Sequence, residues 1–265
     1  MWGSSIMDQR WMRKLAFGAV ALGTVALAGG AAWSSTGVMK PAEQKWNHNG
    51  ITGTYDKAAA QRGLQVYKEV CAACHSLSLV AYRTLADLGY SEEQVKAMAA
   101  EVEIQDGPND DGEMFARPGR SYDHFKAPFA NEKAARAANG GAYPPDMSLI
   151  VKAREDGENY IYALLDGYTD APAGHEVPEG KYYNPYYPGG NIAMPAPLSD
   201  GSVTYQDGTE ATRAQMAHDV VTFLSWTAEP KLDERHRMGV VVVSFLIIFT
   251  GILFAVYRRV WKDVH

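Results

Sequence analysis

The pentapeptide Cys71-Ala72-Ala73-Cys74-His75 constrains this 265-residue chain more than any other stretch. C-x-x-C-H is the attachment signal for c-type haem. Two thiols three positions apart lie about one helical turn from each other, so both reach the vinyl groups of one macrocycle. The next residue, His75, then turns its imidazole toward the iron, and a neutral imidazole nitrogen is a good axial ligand. Two other chemistries use paired cysteines. A redox dithiol gains nothing from the adjacent histidine and wants a thioredoxin-like βαβ context, which the surrounding pattern lacks. A structural zinc site usually takes four ligands, and Cys71 and Cys74 are the chain's two cysteines. With both committed to haem, no structural disulfide is available.

The two ends of the chain point to a membrane. Arg10, Arg13 and Lys14 precede 18 uncharged residues, Leu15 to Ala32, that end in Ala28-Gly29-Gly30-Ala31-Ala32. A basic start, an apolar run and a small-residue exit read as a secretory signal peptide over 1–32. The competing reading is a retained membrane helix, which 18 residues just support. At the other end, Met238 to Tyr257 is 20 residues without a charge. As a helix it spans ~30 Å, the thickness of a bilayer core. Three Lys or Arg precede this span closely and three follow it, so the positive-inside count is a tie. The export signal and the haem motif break it, with 33–237 outside as a periplasmic haem domain, 238–257 as the anchor and 258–265 inside. The whole chain's net charge of −6 makes nucleic acid an unfavourable partner, and the outer stretch, with 19 Lys or Arg against 29 Asp or Glu for a net −10, is more acidic still.

Between the ends, helical signals frame long irregular stretches. Asp56 caps an expected helix over Lys57–Val70 that delivers Cys71. Ser76 to Ala100 reads as helical, with Ser91 and Gln94 forming a capping box. A further helix is expected over Met147–Leu165, stopped by Asp166-Gly167. Thr209–Thr227 reads as an amphipathic helix with Met216, Val220, Phe223, Leu224 and Thr227 on one face, ended by Pro230. Residues 101–113 carry Glu101, Glu103, Asp106, Asp110, Asp111 and Glu113 and no base. Gly107, Pro108 and Gly112 make this an expected loop. It is either a solvated insertion or a docking surface for a basic partner.

A low-spin electron carrier needs a second axial ligand, normally a Met sulfur or a His nitrogen. Met216 reads as core, and Met98 sits on a charged helix. Met114, Met147 and Met194 remain, with His124, His175 and His218 as outsiders. Met194 stands in Asn191-Ile192-Ala193-Met194-Pro195-Ala196-Pro197, where two prolines stiffen the backbone. Residue physics alone leaves these alternatives open.

Several longer runs narrow them. Arg62 to Cys71, Val102 to Asn109, Ala135 to Ala142, Tyr143-Pro144-Pro145-Asp146, Tyr183-Asn184-Pro185-Tyr186, Met194-Pro195-Ala196-Pro197-Leu198 and Ala228-Glu229-Pro230 resemble the cytochrome c1 family from about residue 46 to the C-terminal anchor. That family supplies the haem subunit of the cytochrome bc1 complex, and the short secretory signal implies a bacterial form. The resemblance implies that Cys71 and Cys74 carry the thioethers and that His75 and Met194 are the axial metal ligands. It also implies that Arg117 contacts a haem propionate and that Asn139, Pro144 and Pro145 line the haem edge. One proline carbonyl accepts the His75 ring N–H, without the sequence saying which. The chain lacks the extra disulfide of some relatives, so packing and proline-rich backbone must hold the Met194 loop.

The resulting expectation is a mostly α, cytochrome c-like haem domain with long loop insertions, carried on one C-terminal transmembrane helix. The helix before Cys71 should cross the Thr209–Thr227 helix, with Gly63 allowing close approach near Phe223. One haem c would take an electron from a Rieske iron–sulfur protein and pass it to a c-type cytochrome. This makes the chain the electron-transfer subunit of quinol–cytochrome c oxidoreductase, alongside cytochrome b in a dimeric inner-membrane complex. No catalytic acid or base is expected, because no substrate bond is made or broken here. The alternatives are a free-standing anchored cytochrome shuttle and a haem sensor or peroxidase with an open iron position.

Overall fold

The computed structural model describes residues 38–263; the signal-peptide expectation on 1–32 lies outside the described residues. Helix α1 runs over Lys57–Glu69, and the Asp56 side chain accepts a hydrogen bond from the Ala59 N–H at its start. Such a cap satisfies a backbone donor that has no partner within the helix. A single 3-10 turn, Cys71–Ala73, follows.

The Ser76–Ala100 stretch is not one helix. Its first part is a turn, then a 3-10 segment over Tyr82–Leu88, then α2 over Glu92–Ala100. Tyr82 and Arg83 donate their backbone N–H groups to the Asp123 and Ser121 carbonyls, so these donors serve a long-range contact instead of a helix. Gly89, at φ 98°, ends the 3-10 segment in a conformation that glycine adopts without cost. The capping box at Ser91 and Gln94 forms in both directions.

The acidic 101–113 stretch is also more ordered than a loop. Strand β1, Glu103–Asp106, pairs antiparallel with β2, Phe115–Pro118; Asp110, Asp111 and Glu113 occupy the connection between them, and Glu101 precedes β1 at the end of α2. The Arg117 side chain, set between Asp106 and Asp123, ties the hairpin to the 120–123 turn.

Helix α3 covers Glu132–Ala138 and α4 covers Gly157–Asp166. The helix expected from Met147 therefore begins ten residues late, although it stops at Gly167 as expected. Residues 148–156 form turns and a bend, and Asp156 takes the left-handed conformation at φ 54°, which breaks helical continuity. Two-residue strands β3, Tyr182–Tyr183, and β4, Asn191–Ile192, form a second small antiparallel pair. Helix α5 spans Arg213–Ala228, capped by Thr212. Its expected apolar face is buried, but so are Asp219, Thr222, Ser225 and Trp226 on other sides. It is thus a central helix, not an amphipathic surface one.

The crossing of α1 over α5 organises the core. A Cβ built on Gly63 would lie 2.1 Å from the Asp219 carbonyl oxygen and 2.7 Å from the Phe223 Cβ, so only glycine permits this approach. Tyr67, Leu64, Phe223, Leu224 and Trp226 fill the space around it. Each such side chain contributes about 1.5–3 kcal/mol by leaving water. At the crossing the Arg62 guanidinium makes a two-pronged contact with the fully buried Asp219, at 2.8 and 2.9 Å.

Helix α6, Leu232–Val260, leaves this core. Leu232 is buried, whereas the apolar residues from Met238 onward are exposed, a run long and apolar enough to cross a membrane. Its root is fastened to the domain. The Tyr55 N–H donates to the Asp233 carboxylate at 3.0 Å, and His236 Nδ1 donates to the Gly53 carbonyl at 2.7 Å.

Candidate haem c site

Helix α1 and its 3-10 turn present the C-x-x-C-H residues in one short arc. The Cys71 carbonyl accepts from both the Cys74 and His75 N–H groups, at 3.1 and 2.9 Å. Cys71 is buried, Cys74 is exposed, and the two are not joined to each other by a disulfide. Burial, reinforced by neighbouring Cys74, pushes the Cys71 thiol up to about 12. That direction is opposite to the lowered thiol pKa of a redox cysteine.

The ring of His75 is half-buried, and its Nδ1 donates to the Pro145 carbonyl at 2.8 Å. The structure thus selects Pro145 over Pro144 as the orienting carbonyl. Burial lowers the imidazole pKa from its ordinary value, against the opposing pull of Pro145 and Asp146. A neutral ring protonated on Nδ1 presents Nε2 as an acceptor, the form an iron ligand requires. The Tyr67 hydroxyl donates to the His75 carbonyl at 3.1 Å, which fixes the same residue from the core side.

The backbone that carries Pro145 is sewn to the backbone that follows His75. The Asp146 carboxylate accepts from the Ser76 hydroxyl and the Ser78 N–H, each at 2.8 Å. It also accepts from the Ser148 N–H at 2.8 Å. The Met147 N–H donates to the Ser76 carbonyl at 2.9 Å. Burial pulls the Asp146 carboxyl upward, but the hydrogen bonds from Ser148 and Ser78 outweigh it and hold the group at about 2. Pro144 lines a cleft beside Cys74 together with Ser76, Phe129, Ala135 and Tyr143. Asn139 closes α3 next to that cleft, donating its side-chain amide to the Ala135 carbonyl at 2.7 Å.

Met194 arrives from the opposite side of the sequence. Its side chain is half-buried and packs against the core. The Tyr168 hydroxyl donates to the Met194 carbonyl at 3.0 Å. Upstream, fully buried Asn184 donates to the Leu164 carbonyl at 2.8 Å and accepts from the Tyr186 N–H at 3.1 Å. Packing and prolines were the expected hold on this loop. The structure adds these polar anchors, whose only sequence trace is the turn-forming Asn-Pro pair.

The other axial candidates are placed differently. Met114 is 62% exposed, Met147 is buried in the core at 7%, and Met216 is fully buried. His124 Nδ1 donates to the Ser78 carbonyl. His175 pairs through Nε2 with the Asn191 side chain at 2.9 Å, and His218 stacks on Trp46 at 4.7 Å between centroids. Arg117 is engaged as well. Its guanidinium reaches Asp106, both oxygens of Asp123 and the Pro118 carbonyl. Four of its five N–H groups are used in these contacts, leaving one for any further acceptor.

Comparison with known proteins shows the family. Residues 46–264 match the model of the Cytochrome C1 family. The chain belongs to the cytochrome c1 family. It is 58% identical over 214 residues to a mitochondrial cytochrome c1 heme protein of Solanum tuberosum, covering 81% of this chain and 82% of that protein. It is 50% identical over 261 residues to cytochrome c1 of Rhodospirillum rubrum, covering 92% and 96%. A mitochondrial catalytic subunit of the cytochrome b-c1 complex from Candida albicans is 52% identical over 216 residues, covering 80% and 75%. The match reaches through the haem-motif arc, the Pro145 seam, the Met194 loop and α6.

Proposed function

We infer that the chain is the haem-carrying electron-transfer subunit of a cytochrome b-c1 complex, working within quinol–cytochrome c oxidoreductase. The observation that carries this reading is the state of His75. One residue past the cysteine pair, its ring donates through Nδ1 to the Pro145 carbonyl, which leaves Nε2 free for iron. When bound, a haem c supplies one-electron iron chemistry. Cys71 and Cys74 would hold it by thioethers, His75 and Met194 would ligate its iron, and Asn139, Pro144 and Pro145 would border its edge. No side chain in this arrangement is asked to move a proton or attack a substrate, so the activity belongs to the complex and the chain's part is conduction.

The electron donor in this reading is a Rieske iron–sulfur protein and the acceptor a c-type cytochrome. Helix α6 anchors the haem domain on the outer, periplasmic side, with 258–265 inside, next to cytochrome b in a dimeric complex. The β1–β2 hairpin faces water and supports the docking role for the acidic run. Of its six acids, Glu101 pairs with Lys68 and Asp106 with Arg117. Glu103, Asp110, Asp111 and Glu113 have no ion-pair partner among the described residues. These four supply the field that steers a basic acceptor. Neutralising Asp110, Asp111 and Glu113 together should slow reduction of a basic cytochrome c at low salt, about tenfold, and flatten its salt dependence. Stopped-flow rates that keep the wild-type salt slope would remove the hairpin from the docking surface.

Replacing Met194 by Leu tests the site itself. Haem should stay attached through Cys71 and Cys74, the reduction potential should fall because a thioether favours ferrous iron, and the reduced protein should gain carbon monoxide binding. An unchanged potential without carbon monoxide binding would assign the second ligand elsewhere.

A further inference from the structure

We propose that Asp146 is a positioning residue for the axial histidine, acting through the Pro145 carbonyl. The inference rests on the haem reading above and assigns a task to a residue that touches neither iron nor macrocycle. Pro145 itself cannot anchor the carbonyl that meets His75. It has no backbone N–H, and the Pro144-Pro145 pair lacks two of the donors that would normally tie such a segment down. The direction of that carbonyl is therefore set by the next peptide unit.

Asp146 is the residue that fixes that unit. Its Oδ2 atom accepts from the Ser76 hydroxyl and the Ser78 N–H, both at 2.8 Å, on the far side of the seam. Its Oδ1 atom accepts from the Ser148 N–H at 2.8 Å on its own side. One carboxylate thus bridges the segment that begins at His75 to the segment that orients His75. The neighbouring backbone bond from Met147 to Ser76, at 2.9 Å, closes the ring of contacts. Further along, the Leu79 N–H donates to the Ser148 hydroxyl at 3.1 Å, so the seam continues past the carboxylate.

The consequence for the ligand is directional. A firmly placed Nδ1–H···O=C bond fixes the ring plane and raises the basicity of Nε2, which favours ferric iron. The negative charge of Asp146 works in the same sense. Loss of the bridge should therefore move the equilibrium toward ferrous iron, and the charge and geometric contributions separate in two variants. Asp146→Asn removes the charge and replaces one acceptor by a donor. Asp146→Glu keeps the charge but adds a methylene, which displaces the 145–147 backbone.

The test uses the full chain in its membrane complex, with redox titration and the electron paramagnetic resonance signal of the ferric haem. Positioning predicts that Asp146→Glu shifts the ferrous-to-ferric ratio at fixed potential by about twofold toward ferrous and moves the largest g value. Asp146→Asn should shift the ratio further in the same direction, by about fivefold. If only Asp146→Asn shifts, the residue acts through charge alone and positioning is overturned. If neither variant moves potential or g value while both lower thermal stability, Asp146 is a structural seam residue and the proposal is likewise overturned. Should Asp146→Asn fail to accumulate, the glutamate variant decides by itself. A wild-type chain without thioether-linked haem would sink the underlying haem reading, an outcome distinct from all of these.

Discussion

His75 and Met194, the two residues proposed to face one iron, are delivered by different kinds of structure. His75 lies just past α1, and α1 is locked against α5 where Gly63 admits the Asp219 carbonyl and the Phe223 side chain. The residue is then held from two sides, by Tyr67 through its carbonyl and by Pro145 through its ring. Met194 sits in the long irregular span between α4 and α5, whose only strands are the two-residue pair β3 and β4. Tyr168 holds its carbonyl, and Asn184 holds the turn that leads to it. The first arm draws rigidity from helix packing and is stabilised with the whole fold. The second depends on a few hydrogen bonds, each worth about 1 kcal/mol, and should open locally before the fold does.

That contrast can be broken most forcefully at the helix crossing. Arg62→Leu leaves Asp219 buried without its cation, which should cost about 3–5 kcal/mol. Thermal unfolding should drop strongly and cooperatively, with no selective rise in carbon monoxide binding below the transition. A gain of carbon monoxide binding in the still-folded variant would show that the Met194 arm is coupled to the crossing, against the separation drawn above.

The converse substitution is Asn184→Ala. It leaves the Leu164 carbonyl and the Tyr186 N–H without partners, at a cost of about 2 kcal/mol. Here the reduced protein should bind carbon monoxide appreciably while the main unfolding transition moves only modestly. Equal losses in both measurements would mean that the loop and the helical core unfold as one unit.

Acid provides the gentlest probe, on the His75 side. Hydrogen bonds hold the Asp146 carboxyl at about 2 in the fold, below the ordinary value near 4. A depressed folded value contributes stability that is fully present above the unfolded value and lost as pH falls through the folded one. The seam should therefore weaken between about pH 4 and pH 2, by less than about 1 kcal/mol once solvent screening of this partly exposed group is included. Unfolding midpoints measured across that window should lose this increment in the wild type and not in Asp146→Asn. Parallel acid profiles for the two proteins would place the acid-sensitive contact elsewhere.

Much of this architecture is written in short-range code. The C-x-x-C-H spacing, the Asp56 cap, the Ser91–Gln94 box and the uncharged span of α6 each depend on residues within a turn or a repeating period of one another, so the sequence alone determines them. Even the close approach at Gly63 is legible, because a glycine on a buried helix face has few other reasons to be there. Tertiary structure decided the rest. It chose Pro145 over Pro144, because the His75 ring must find a carbonyl 70 residues away. It turned the acidic run into a hairpin, because β2 pairs with β1 and Arg117 neutralises Asp106. It drew Tyr82 and Arg83 out of a regular helix by giving their N–H groups to the 121–123 segment, and it buried α5 on nearly every side. It left Met194 half-buried while sinking Met147 and exposing Met114. Those outcomes depend on which distant groups meet to satisfy buried donors and acceptors, and no local period in the chain encodes that pairing.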